Sequence, residues 1–89
     1  MKERSVLLSN ALDALDRLFD RESEVIDVGA VLYATGLAIR PDVLSPLFSD
    51  AASALERIRR AGLTTEDARE SALRSTNPLR VALAEALEE

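Results

Sequence analysis

The chain has 89 residues, 47% of them apolar and 30% charged, with three glycines and three prolines; this is the composition of one small globular domain spanning 1–89, not of a disordered segment. Folding at this length buries roughly 60–65% of the surface of the unfolded chain, enough for one core but not for a second domain or a deep enclosed substrate cavity. Sixteen acids against eleven bases leave a net charge of −5, and the absence of both cysteine and histidine removes disulfides, thiolate metal sites and the side chains most used in acid–base and nucleophilic catalysis.

Aromatic residues make up only 3% of the chain, so leucine and alanine must form the core, and these residues favour helices over strands. The fold class expected is all-α, a small four- to five-helix antiparallel bundle. No apolar stretch approaches the roughly 18 residues of a membrane span, and the apolar run in "MKERSVLLSN" is too short for a signal peptide. A reducing cytoplasm suits a chain without cysteine, and a cytoplasmic location is expected.

The first helix is expected over about Glu3 to Phe19. Leu7, Leu8, Ala11, Leu12, Ala14, Leu15, Leu18 and Phe19 share one sector at 100° per residue, while Asp13, Asp16, Arg17 and Asp20 fill the other. "DRESEVID" breaks this periodicity. Within it, Asp27 is the expected N-cap of a second helix over Val28 to Ile39, with Ile26 and Val31 at the positions of a hydrophobic staple. That helix is apolar nearly all round, which predicts a central position wrapped by the others. It stops before Arg40-Pro41, because the residue preceding proline disfavours helical geometry.

Ser45-Pro46 reads as an N-cap followed by proline at the first helical position, opening a third helix over Pro46 to Ala61 with Leu47, Phe48, Ala51, Ala54, Leu55 and Ile58 buried. The stretch "RRAGLTTEDARE", Arg59 to Glu70, has the look of a DNA-binding helix-turn-helix. Its parts are accounted for as punctuation: Gly62 as a left-handed helix stop, Thr64 as the next N-cap with Asp67 three residues on, and the arginines at the carbonyl end of a helix. A recognition helix carrying Glu66, Asp67 and Glu70 would be repelled by phosphates, so no nucleic acid partner is expected. A short fourth helix ending near Ser75, and a fifth begun by Asn77-Pro78 with Leu79, Ala82, Leu83, Ala86 and Leu87 on one face, complete the chain.

Few constellations carry chemistry. Asp13, Asp16 and Asp20 share a helical face and are oxygen ligands of the kind Mg²⁺ accepts, but Arg17 stands among them, and no metal and no cofactor is expected. "VGAVLYATG" lacks the spacing and the lysine of a phosphate-binding loop. An acyl carrier needs Asp-Ser-Leu at a helix start, and Ser49-Asp50 reverses that order. Tyr33 lies across the second helix from its core stripe; its ring is expected to pack on the first or last helix with the hydroxyl at the rim, or else to anchor an interface. Six acids lie between residues 13 and 27 against Arg17 and Arg21 alone. Such a segment serves solubility or steers a basic partner.

At "LDALDRLFDRESEVIDVGAVLYATGLAI" the pattern resembles the front half of small helical bacterial immunity proteins, which protect a cell from its own bacteriocin or contact-delivered toxin. The likeness covers the first 40 residues or so and carries no diagnostic motif. What it implies is a non-enzymatic inhibitor that docks a basic toxin domain on Asp13, Asp16, Asp20, Glu22, Glu24 and Asp27, with Tyr33 anchoring the edge. The alternative is a self-associating structural or adaptor module, a homodimer formed through residues 28–39 with Tyr33 and Leu37 at the contact.

Overall fold

The computed structural model describes residues 2–88. It is all-helical, with four helices: α1 (Lys2–Phe19), α2 (Val25–Ala38), α3 (Ser45–Arg60) and α4 (Thr65–Glu88). The helices form a ring in which α1 packs on α2, α2 on α3, α3 on α4 and α4 on α1, while α2 scarcely reaches α4. Arg21, just past the end of α1, meets Glu66 at the start of α4. Gly29 and Gly36 of α2 face Leu55 and Phe48 of α3 in reversed order. These neighbours therefore run antiparallel, as short connections require. No helix among the described residues is long and apolar enough to cross a membrane.

The core is the leucine and alanine interior that the composition demands. Leu8, Leu15 and Leu18 from α1, Leu32 from α2, Phe48 and Leu55 from α3, and Leu79 and Leu83 from α4 are almost wholly buried. Each such side chain contributes about 1.5–3 kcal/mol by leaving water. Phe19 departs from the expected buried sector: it lies in the last turn of α1, is 59% exposed, and has the Arg80 guanidinium 6.0 Å from its ring centre, a cation–π arrangement.

α1 ends in a Schellman-type stop. The Glu22 amide donates to the Arg17 carbonyl at 2.8 Å and the Arg21 amide to Leu18 at 3.3 Å, with Arg21 at φ 65° where glycine is usual. α2 then begins three residues earlier than expected, at Val25. Asp27 is not its N-cap but lies in its first turn, where a carboxylate still favours the positive end of the helix. The reason is packing, because the earlier start adds Val25 to the core edge. The staple does not form either, since Ile26 is 60% exposed.

α2 is not central, as its apolar composition suggested. It buries Val28, Leu32 and Thr35 and leaves Ile26, Val31, Tyr33 and Leu37 exposed. Ser45 is the first residue of α3 and not its cap. Its hydroxyl instead accepts the Asp42 amide at 3.1 Å.

The helix stop at Gly62 appears as expected, with φ 69°, and Thr64 caps α4 by accepting the Asp67 amide at 3.1 Å. The expected break near Ser75 does not occur, and α4 continues through Pro78. Ala72, Thr76, Leu79 and Leu83, spaced by four, three and four residues, form one buried stripe across it. Pro78 is exposed on the opposite side, so the Arg74 carbonyl deprived of its donor faces water. Burial of Leu79 and Leu83, worth about 1.5–3 kcal/mol each, outweighs the roughly 3 kcal/mol that an interior proline costs.

Two consequences are measurable by thermal or urea unfolding. Pro78→Ala is expected to stabilise the chain by about 1–3 kcal/mol; no gain would mean that the proline sits at a true helix boundary. Gly29→Ala, whose new Cβ would meet Leu55 at an ordinary 3.7 Å, should gain about 0.5–1 kcal/mol, whereas Gly36→Ala, meeting Phe48 at 3.0 Å, should lose stability.

Candidate functional site

The two sides of α2 differ in chemistry, and each forms a groove with a neighbouring helix. On the α1 side, Asp13 and Arg17 face Asp27, Val31 and Ala34 across an open groove of about 400 Å³. Ser23, in the turn that joins the helices, closes one end of it. Asp20, Glu22 and Glu24 of the same turn are exposed. The acidic segment of the sequence thus folds into a corner between α1 and α2.

The corner does not hold all six acids on equal terms. Asp16 leans toward α4, where it accepts from Arg80 Nη2 at 2.8 Å and Nε at 3.1 Å. Asp13 pairs with Arg17 at 3.2 Å, one turn along. Asp20, Glu22, Glu24 and Asp27 make no ion pair among the described residues. The nearby bases are engaged elsewhere: Arg21 forks onto Glu66 with contacts of 2.5 and 3.1 Å, and Arg69 donates to the Leu18 and Phe19 carbonyls at the end of α1. The Arg21 hydrogen bonds hold the Glu66 carboxyl below the ordinary glutamate range. Among the described residues no group of three carboxylates is placed to hold a metal ion.

Tyr33 is separate from the corner. It projects on the α3 side of α2 and is 63% exposed, so its ring does not pack on the first or last helix as expected. It stands between two depressions along the α2–α3 seam. One, of about 640 Å³, is lined by Ile26, Gly29 and Ala30 on α2 and by Ser49, Ala52 and Ser53 on α3; the other runs past Leu37 toward Arg40. Along the ridge, Ile26, Ala30, Tyr33 and Leu37 follow the four-three-four spacing of a helical seam, and none of them is buried. Apolar periodicity all around the second helix was the visible signal for this ridge, but the same pattern describes a wrapped helix equally well.

One residue outside both surfaces fixes their frame. Asp42, in the α2–α3 loop, accepts from Arg4 Nε at 2.6 Å and Nη2 at 3.2 Å, and from the Leu44 amide at 2.9 Å. Its carboxylate side chain is only 11% exposed. The Arg4 hydrogen bonds, then the Leu44 amide, push its pKa below the ordinary aspartate value of 3.8. Thirty-eight residues of sequence separate the pair, and no local pattern announces it.

No family model matches this chain, and no curated protein or solved structure matches it either.

A carboxyl whose pKa is lowered by folding adds stability above its unfolded value and loses it as pH falls through the folded one. Asp42→Asn should therefore cost about 1–2 kcal/mol at neutral pH and should flatten the decline in stability below pH 3.8. Parallel acid unfolding curves for the two proteins would show that Asp42 is not the linked group.

Proposed function

We propose that this chain is a non-enzymatic protein-binding inhibitor of the bacterial immunity or antitoxin type, acting in the cytoplasm, whose acidic corner between α1 and α2 receives a basic toxin domain and covers that domain's substrate groove. The observation that supports the reading is the local imbalance of charge. Asp20, Glu22, Glu24 and Asp27 stand exposed at one corner, while Arg17, Arg21 and Arg69 beside them already hold Asp13, Glu66 and two main-chain carbonyls. Such a corner attracts basic surfaces and repels acidic ones, and its field acts on the association rate first. Asp16, held by Arg80, contributes charge rather than a free contact. Tyr33, on the other side of α2, does not border this corner. The bare ridge that carries it favours a second, compatible role in self-association.

The test uses a partner protein encoded beside this chain, the arrangement the immunity resemblance implies. Calorimetric binding should weaken steeply with added salt. The combined change Asp20→Asn, Glu22→Gln and Asp27→Asn should reduce affinity at least ten-fold, about 1.4 kcal/mol. Asp16→Asn, by contrast, should change it less than three-fold. Affinity that ignores salt and the triple change alike rejects the acidic corner as the docking site.

A further inference from the structure

We propose that two copies of this chain pair about a two-fold axis through the α2–α3 face, with α2 antiparallel to α2 of the second copy. The proposal rests on different residues from the inhibitor reading, because it uses the side of α2 away from Asp13 and Asp27; Glu24 alone, at the start of the helix beside Ile26 and Arg59, borders both surfaces.

The ridge itself calls for cover. Ile26 is 60% exposed, Tyr33 63% and Leu37 47%, and with Ala30 they form one apolar seam along nearly the whole of α2. Beside the seam lies a groove whose α3 wall is built of Ser49, Ala52 and Ser53, small side chains that leave room for a ring. A bulky ridge and an adjoining groove on one surface are what a two-fold pair requires, since each copy offers its ridge to the other's groove.

Charge selects the occupant. Glu24 precedes the helix and Arg40 follows it, and neither forms an ion pair among the described residues. Sixteen residues apart, they lie about 24 Å from each other along a helical rise. An antiparallel pair brings Glu24 of each copy to Arg40 of the other, twice over, whereas a parallel pair sets like against like. The basic partner proposed for the corner does not suit this face, because Arg59 and Arg60 flank its groove and Glu56 is shared between them. With Arg40 included, the rim carries three bases against Glu24 and Glu56.

Sedimentation equilibrium of the full chain from 1 to about 100 μM, the range of moderate pair affinities, reads the outcome directly. The expected result is a species of twice the 9.7 kDa chain mass. Arg40→Glu and Glu24→Arg should each weaken pairing about ten-fold, and the double variant should restore it to within about three-fold, because the exchanged charges again meet opposite signs. Loss of helix stability cannot produce that rescue, since both changes oppose the helix dipole and their costs add. As a second reading, Ala30→Cys in this cysteine-free chain should cross-link into dimers under mild oxidation, while Ser75→Cys on α4 should not. A wild-type monomer throughout the range overturns the proposal and leaves the face to a different protein or to solvent. Absence of rescue, or equal cross-linking at both cysteines, overturns the antiparallel arrangement. Partner binding at the corner is scored with the Asp20, Glu22 and Asp27 variant, which leaves the α2–α3 face intact, so the two proposals fail separately.

Discussion

The rotation of α2 about its own axis governs what the molecule shows to its surroundings, and the close approach at Gly36 fixes that rotation. Gly36 lets Phe48 approach so closely that a methyl group would stand 3.0 Å from its Cβ, and Gly29 lies one seam contact away against Leu55. With this side turned toward α3, Val28, Leu32 and Thr35 point inward. The remaining side chains have no choice of direction. Asp27 and Val31 fall toward α1, and Ile26, Tyr33 and Leu37 fall outward along the edge of α3. A different rotation would bury the tyrosine and expose the core leucine, and would bring a position bearing a Cβ to where Gly36 lets Phe48 approach.

The legible part of the fold was the part written in local chemistry. The amphipathic stripe of α1 as far as Leu18, the left-handed stop at Gly62 and the Thr64 cap needed only neighbouring residues, and these appear where the sequence places them, with Phe19 the one member of the stripe left exposed. The misread features were decided by distant contacts. Asn77-Pro78 has the chemistry of a helix start, yet Thr76, Leu79 and Leu83 continue one buried stripe through it. Asp27 has the chemistry of a cap, yet Val25 gains more by joining the helix. Tyr33 and the apolar residues around it were read as wrapped because periodicity reports how many sides of a helix are apolar and is silent on how many neighbours will cover them. The acidic segment was visible as a count of charges, but the division between paired and unpaired members depended on Arg80 and Glu66, far along the chain.

Arginine does most of the sorting of charge. The ion pairs that cross between elements, Arg4 to Asp42, Arg21 to Glu66 and Arg80 to Asp16, all tie α1 or its end to another part of the ring. Exposed pairs of this kind contribute little stability individually, and the bundle does not depend on the last two for its core. Their larger effect is on the field outside: Arg80 neutralises Asp16, whereas Arg21, turned to Glu66, leaves Asp20, Glu22 and Glu24 of its own turn uncompensated. The planar fork of the guanidinium suits this role: Arg4 and Arg21 each occupy both oxygens of their carboxylate, while Arg80 places two donors on Asp16 Oδ1. Near α2 the result is a negative patch on one side and a mildly basic apolar groove on the other.

These two surfaces share one helix, and that makes their proposed roles additive. A pair formed through the ridge covers the apolar side of α2 and turns each acidic corner outward, so one dimer carries two corners. A partner that is itself paired, or that offers two basic patches, then meets the second corner at a high effective concentration once the first is engaged. The gain depends on geometry alone and adds no new contact at either corner. It also assigns a purpose to the composition of α2, in which a helix with almost no polar side belongs to a small, strongly charged chain. In the proposed pair the apolar side would hold the copies together, and Asp20, Glu22 and Asp27 would stay free to meet another molecule.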